Sequence, residues 1–324
     1  MASQAPQVSV TAPIHPAIER VKGMLFRPFD LGKWFVLGFG AWLARMGQPG
    51  FGGRFPSGGS PFGDHSGGGS GQDDVAAALA HAKGWVGQNL YWLLPLAIVL
   101  VCLGLALWVL FTWLSSRGQF VFLHGVARDR AEIAVPWGQY AREAHSLFVF
   151  RLVLGLIALP VAILFLVLAA AAVLRTVQRG AFEPGDVVGL VLVGVAVLAL
   201  SLVLFLVSKL TRDFVVPIMY LRGGTCRAGW RELLVLFAGR LDRLILYLLF
   251  QIVLAVAIGV VVLAAVLATC CLAGCLMLIP YLGTVALLPV LVFRRSYSLF
   301  YLGQLGERYD VFRSASAPPP VLSA

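Results

Sequence analysis

Charge is scarce in this sequence, and acidic charge is the scarcest. Only 12% of the 324 residues are charged, and the 15 acidic residues are outnumbered by 25 lysines and arginines. Soluble domains carry about 25% charged residues. No acid and a single arginine, Arg151, fall inside five apolar runs at residues 92–114, 147–174, 187–208, 244–268 and 272–293. This composition excludes a water-soluble globular fold.

The apolar runs have the length of membrane spans. Each can cross a hydrocarbon core of roughly 30 Å as a helix. Backbone groups in lipid must pair internally, so only helices or closed barrels are allowed. Barrel strands alternate apolar and polar residues, and residues 190–206 show no such alternation. We therefore expect an all-α, polytopic integral membrane helical bundle.

A sixth, shorter candidate lies at residues 31–46, whose 16 residues reach about 24 Å. If it crosses, 20 of the 25 basic residues lie on one side of the membrane; if it does not, the split is 16 to 9. Basic residues favour the cytoplasmic side. We therefore expect six transmembrane helices and both termini in the cytoplasm. A re-entrant or interfacial helix at 31–46 is the alternative.

Catalytic and metal-binding patterns are also lacking. None of the metalloprotease, hydrolase, nucleotide-binding or kinase motifs occurs. The five histidines are scattered, and the five cysteines have no histidine or carboxylate at ligand spacing. We expect no enzyme activity, no metal and no cofactor. The least supported alternative is a membrane enzyme, which requires His124, His145 and Asp213 to converge.

The domain organisation follows from the spans. Residues 1–312 are expected to form a single membrane domain. Residues 47–72 contain 11 glycines, a composition typical of a flexible loop, here on the extracytoplasmic side. Residues 313–324 are expected to be a disordered tail.

The segments on the basic side combine arginine with tryptophan. Short amphipathic helices are expected there at the interface, one at the N-terminus with Ile18, Val21 and Leu25 on one face. Asp30 and Thr225 can cap the helices that follow them. In the helix that Thr225 can cap, one face is predicted to carry Trp230, Leu233, Leu234 and Phe237. A weak threefold repeat, each unit a short helix followed by a hairpin of spans, is left open.

We expect an interaction surface on this side, here called the basic rim. Its candidate residues are Arg117, Trp137, Arg212, Asp213, Trp230, Arg240 and Arg243. The net charge of +10 suits anionic inner-leaflet lipids rather than nucleic acid, because the cations flank apolar runs. A protein partner or a second copy of the chain is also open.

The apolar interior offers few polar groups. Gln251 is the main candidate for an intramembrane polar contact, and it favours a hydrogen bond across a helix interface. Pro160 and Pro289 lie inside spans and are expected to kink them. Ion-coupled transporters place ionisable groups near the midplane, so such transport is disfavoured. A path for an uncharged or lipid-like solute is the alternative function.

Several phrases resemble an uncharacterised family of bacterial polytopic membrane proteins, loosely linked to the membrane domain of glycerophosphodiester phosphodiesterases. They are FRPFDLGKWFVLGF at 26–39, WLSSRGQFVFL at 113–123, RAEIAVPW at 130–137, DFVVPIMYLR at 213–222 and FRRSYSLFYLGQLG at 293–306. The resemblance implies a bacterial inner-membrane location and no catalytic domain. The sequence thus predicts a non-enzymatic scaffold, assembly or lipid-handling protein that acts through the basic rim.

Overall fold

A computed structural model describes residues 9–46, 71–179, 184–239, 241–269 and 279–316. Every regular element within these ranges is helical. The α-helices are α1 (Ile14–Val21), α2 (Leu31–Arg45), α3 (Gly71–Arg128), α4 (Ala134–Gln139), α5 (Ala141–Arg179), α6 (Pro184–Leu210), α7 (Val216–Arg222), α8 (Cys226–Phe237), α9 (Leu241–Ala268), α10 (Pro280–Ala286), α11 (Leu288–Gly303) and α12 (Val311–Ser316). π-helical turns follow α1 (Lys22–Phe26) and α6 (Thr211–Val215), and a 3₁₀ turn (Glu307–Tyr309) precedes α12.

Four helical stretches in the described part are long and apolar enough to cross a membrane. They cover Gly87–Arg128, Ala141–Ala172, Val191–Arg222 and Leu241–Ala268. Their aliphatic side chains are largely exposed, and a hydrocarbon core is the solvent that suits such faces. The all-helical prediction is confirmed for the described residues, and these four stretches suggest a membrane-embedded protein.

The first and last predicted spans, 31–46 and 272–293, differ from these four long helical stretches. Helix α2 has 15 residues, a rise of about 22 Å. Of the last run, 272–278 lie outside the described residues, and the rest divides between α10 and α11 at Leu287. Helices α2 and α10 pack together, and the Tyr281 hydroxyl donates to the Phe35 carbonyl at 2.9 Å. Whether this pair crosses the membrane stays a prediction.

The chain divides into two compact units. The first comprises residues 1–53, 111–150 and 209–324. Its core contains a cluster of aromatic rings: those of Tyr247 and Tyr301 lie 4.6 Å apart, and those of Phe214 and Tyr247 lie 4.9 Å apart. All three side chains are buried. The site residues discussed below belong to this unit.

Glycine allows α2 to approach α3 closely within the first unit. A Cβ on Gly118 would lie 2.5 Å from the Ala44 backbone nitrogen and 2.6 Å from the Leu43 carbonyl carbon. Gly40 lies against Val121 and Phe122 in the same way, at slightly longer range. Small residues are the usual means of close helix contact in membranes.

The second unit comprises residues 54–110 and 151–208. It holds parts of α3, α5 and α6 whose described aliphatic side chains are mostly exposed. Within it, the indole of Trp108 lies directly against Gly155.

Two predicted caps are confirmed. The Asp30 carboxylate accepts from the backbone N–H of Gly32 at 2.8 Å and of Lys33 at 3.4 Å. The Thr225 hydroxyl accepts from the Ala228 N–H at 3.3 Å. Both satisfy donors that an uncapped helix leaves without partners.

The predicted apolar faces need correction. In α1, Ala17 is buried against the protein while Ile18 is 39% exposed. Helix α1 packs on α11, and the Arg20 guanidinium donates to the carbonyls of Val126 and Ala127, each at 2.9 Å. In α8, Leu233 and Phe237 are buried, but Leu234 is 64% exposed and was placed on the wrong face. Tertiary contacts, and not interfacial lipid alone, therefore hold these helices.

Candidate functional site

A largely buried ion pair lies where α6 ends. The Lys209 ammonium is 2.6 Å from the Asp213 carboxylate, and the two side chains are 14% and 18% exposed. The residues are four apart in a continuous helical stretch, a spacing that puts their side chains on one face. Asp213 thus has its ion-pair partner about one helical turn before it in the sequence.

Helix α9 completes a closed set of contacts around this pair. The Tyr247 hydroxyl donates to Asp213 at 3.0 Å, and the Gln251 amide donates to the Tyr247 oxygen at 3.1 Å. The Lys209 ammonium donates to the Gln251 carbonyl oxygen at 3.4 Å. We call these four residues the polar ring. Gln251 is buried and makes the cross-helix hydrogen bond that its position suggested.

Two arginines adjoin the polar ring. Arg295, on α11, donates to the Arg212 carbonyl at 2.5 Å. Burial lowers the pKa of Arg295 to about 10, although nearby Asp213 favours its charged form. At neutral pH the guanidinium is thus protonated. Asp213 is the one carboxylate among these groups, and it stabilises several cations at once.

Arg117 is held between two indole rings. Its guanidinium lies 4.9 Å from the Trp113 ring centre and 5.2 Å from that of Trp137. It also donates to the Trp137 carbonyl at 3.2 Å. Cation–π contacts of this kind are worth about 0.5–2 kcal/mol each. The structure thus brings Arg117 and Trp137 of the basic rim together, in a contact that is internal to the protein.

The remaining residues of the basic rim have separate environments. The Trp230 indole donates to the Thr211 hydroxyl at 3.2 Å. The Arg243 carbonyl accepts from the Tyr301 hydroxyl at 3.1 Å. Arg240 lies outside the described residues. The described contacts of Arg212 and Arg243 thus involve their backbone carbonyls, and an interaction role for the basic rim stays a prediction.

The groups required by the enzyme alternative have different partners. His124 contacts the Tyr220 hydroxyl at 3.2 Å, and the His145 ring lies 6.0 Å from that of Phe148. Among the described residues, no three His, Cys, Asp or Glu side chains form a group able to hold a metal ion. Burial raises the pKa of the Cys226 thiol to about 12, so this cysteine is a poor nucleophile.

Sequence reasoning missed Tyr247, Lys209 and Arg295. The signal was present as two i, i+4 pairs: Lys209 with Asp213, directly after the 187–208 run, and Tyr247 with Gln251, at the start of the 244–268 run. Polar residues repeated at this spacing on two helices indicate a shared contact.

An exposed surface near the N-terminus combines apolar rings with cations. Phe26 is 50% exposed, and Phe29 and Leu31 are each 59% exposed. Lys22 and Arg27 are exposed beside them. We call these five residues the N-terminal patch. The Trp34 ring packs against the patch: its centre lies 5.7 Å from that of the Phe26 ring and 5.8 Å from that of the Phe29 ring.

Comparison with known proteins identifies a family for this chain. The model of a family of unknown function, DUF7544, matches residues 8–288. No curated protein matches, and no solved structure matches. The expected link to phosphodiesterase membrane domains gains no support from these comparisons.

Proposed function

We propose, starting from the fact that this chain belongs to the family of unknown function DUF7544, that it is a non-enzymatic, multi-pass protein that handles anionic lipids. In this proposal it lies in the bacterial inner membrane with both termini in the cytoplasm. It binds the inner leaflet through outward-facing residues of its first unit.

The N-terminal patch is the observation that carries the proposal. Rings exposed by half or more are unfavourable in water, but they suit the boundary between headgroups and acyl chains. Lys22 is paired with Glu19 at 3.0 Å, and so exposed a pair is weak because solvent screens it. Its charge, with that of Arg27, thus remains able to attract anionic lipid, at about 1 kcal/mol per cation near the surface.

The polar ring has a structural role in this proposal. Lys209 and Tyr247 engage both ends of the Gln251 amide, and Asp213 accepts from two donors. Satisfied groups of this kind fix helices relative to each other. We therefore assign lipid contact to the exposed cations instead of to Arg212, Asp213 and Gln251.

Lipid retention tests the proposal. Purified protein is reconstituted with equal amounts of zwitterionic and anionic phospholipid and extracted in mild detergent, and the retained lipid is quantified by mass spectrometry. The wild type should retain anionic lipid in excess. The K22Q/R27Q variant should lose that excess several-fold, because two surface cations are removed.

The matched control is K83Q/R175Q, which removes two cations from the side expected to be extracytoplasmic. It should keep the wild-type lipid ratio. Equal retention of both lipid classes by the wild type would refute the proposed function.

A further inference from the structure

An open cavity of about 670 Å³ lies between the end of α7, helix α8 and the 3₁₀ turn before α12. Arg222, Arg231 and Arg308 line it together with one acid, Glu232. We call it the arginine pocket. Its volume is within the range of about 300–1,000 Å³ that is usual for small-molecule sites.

One of its three arginines is fixed in place. The Arg222 guanidinium is 2.5 Å from the Glu232 carboxylate and 5.3 Å from the centre of the Tyr309 ring. The Tyr309 hydroxyl donates to the same carboxylate oxygen at 2.8 Å. Glu232 is thus occupied by two donors, and Arg222 is held against the pocket wall.

The other two arginines face the cavity without such partners. Arg231 and Arg308 are exposed, and neither forms an ion pair or hydrogen bond with the part of the chain that the structure describes. With Glu232 neutralised by Arg222, the pocket presents two uncompensated guanidinium groups. Guanidinium is the side chain best suited to binding phosphate, through two parallel hydrogen bonds.

The pocket also has an apolar side. Val235 lines it and is 71% exposed, and the adjacent Leu234 is 64% exposed. A free phosphate ion would fill little of this volume and would leave the aliphatic edge in water. A phosphate joined to an acyl chain can bind both arginines and also cover the aliphatic edge of the pocket.

We propose that the arginine pocket binds the phosphate headgroup of an anionic phospholipid, with Arg231 and Arg308 as the ligating cations. This inference rests on the proposed function and names a discrete site for it. Arg222, Glu232 and Tyr309 position the wall of the site, and Val235 contacts the first part of the acyl chain.

The test is a titration of delipidated, detergent-solubilised protein with dioctanoyl phosphatidylglycerol, followed by native mass spectrometry. The R231Q/R308Q variant should bind roughly tenfold or more weakly than the wild type, because two charge-assisted contacts are lost. The control R142Q/R227Q removes two exposed arginines that do not line the pocket and should bind within about twofold of the wild type. Equal thermal stability of the variants shows that folding is intact.

A second variant tests the cavity without changing charge. Ala228 lines the pocket and is exposed, so A228W should occlude it and weaken binding to a similar extent. Normal binding by A228W, or by R231Q/R308Q, would overturn the pocket assignment. Inorganic phosphate that competes as well as the lipid would overturn the assignment to phospholipid.

The two proposals fail separately. If K22Q/R27Q loses anionic lipid while R231Q/R308Q binds normally, the pocket is wrong and the lipid-handling function stands. If the wild type shows no preference for anionic lipid in retention or titration, the proposed function is wrong.

Discussion

Asp213 joins the end of α6 to α9 through a charged and a polar contact. It is the carboxylate that Lys209 and Tyr247 contact at 2.6 and 3.0 Å, and Arg295 lies close enough to be stabilised by it. A buried pair contributes little net stability compared with apolar residues, but removal of one partner leaves an uncompensated charge.

We predict that Asp213→Asn lowers the free energy of unfolding by about 3–5 kcal/mol. The asparagine oxygen can still accept from Tyr247, so the loss reports the missing charge and not a missing hydrogen bond. Thermal unfolding in detergent, followed by tryptophan fluorescence, measures it.

The double variant K209M/D213N supplies the control. Removal of the lysine charge as well should restore at least half of the lost stability. A double variant no more stable than Asp213→Asn alone would show that the two side chains are not coupled.

Among the elements, α3 is closely packed at one glycine and unpacked at another. Gly118 meets the α2 backbone, whereas Gly104, on the same helix in the second unit, has no atom within 4 Å of an added Cβ. The same substitution should therefore have opposite consequences at the two positions.

We predict that Gly118→Ala destabilises the protein by about 1–3 kcal/mol, because the methyl group meets backbone atoms that cannot move aside. Gly104→Ala should cause no loss, since alanine favours helix over glycine. Detergent unfolding midpoints compare the two. Equal midpoints would contradict the packing described for α2 on α3.

For the whole molecule, the main prediction is the side of the membrane on which each segment lies. Thr11 and Gly84 are both exposed and flank α2 in the sequence. The distribution of basic residues predicts that they lie on opposite sides.

In a background lacking the five native cysteines, Gly84→Cys should react with an impermeant thiol reagent in intact cells. Thr11→Cys should react only after permeabilisation. The reverse pattern would invert the orientation, and labelling of both from one side would show that α2 does not cross.

The helical membrane fold class could be predicted from the sequence more readily than the contacts between side chains. Runs such as 244–268 had to be helices because lipid permits little else, and Asp30 and Thr225 identified their helices by local chemistry. The contacts of Arg117 with two indole rings could not be predicted, because the sequence does not tell which cation the fold encloses, and the interaction role of the basic rim stays a prediction. Phe26 and Phe29 were missed as a surface because the sequence does not show which apolar side chains the fold leaves exposed.

The spacing of the polar ring bears on how the protein is made. Lys209 and Asp213 lie on one continuous helical stretch, so their charges can neutralise each other before α9 has left the ribosome. Tyr247 and Gln251 arrive later and bond to a pair that is already formed. The chain order therefore lets this ion pair form before α9 is made, so that Arg212 alone leaves a net charge on the helix end, and the Tyr247 and Gln251 contacts are added afterwards.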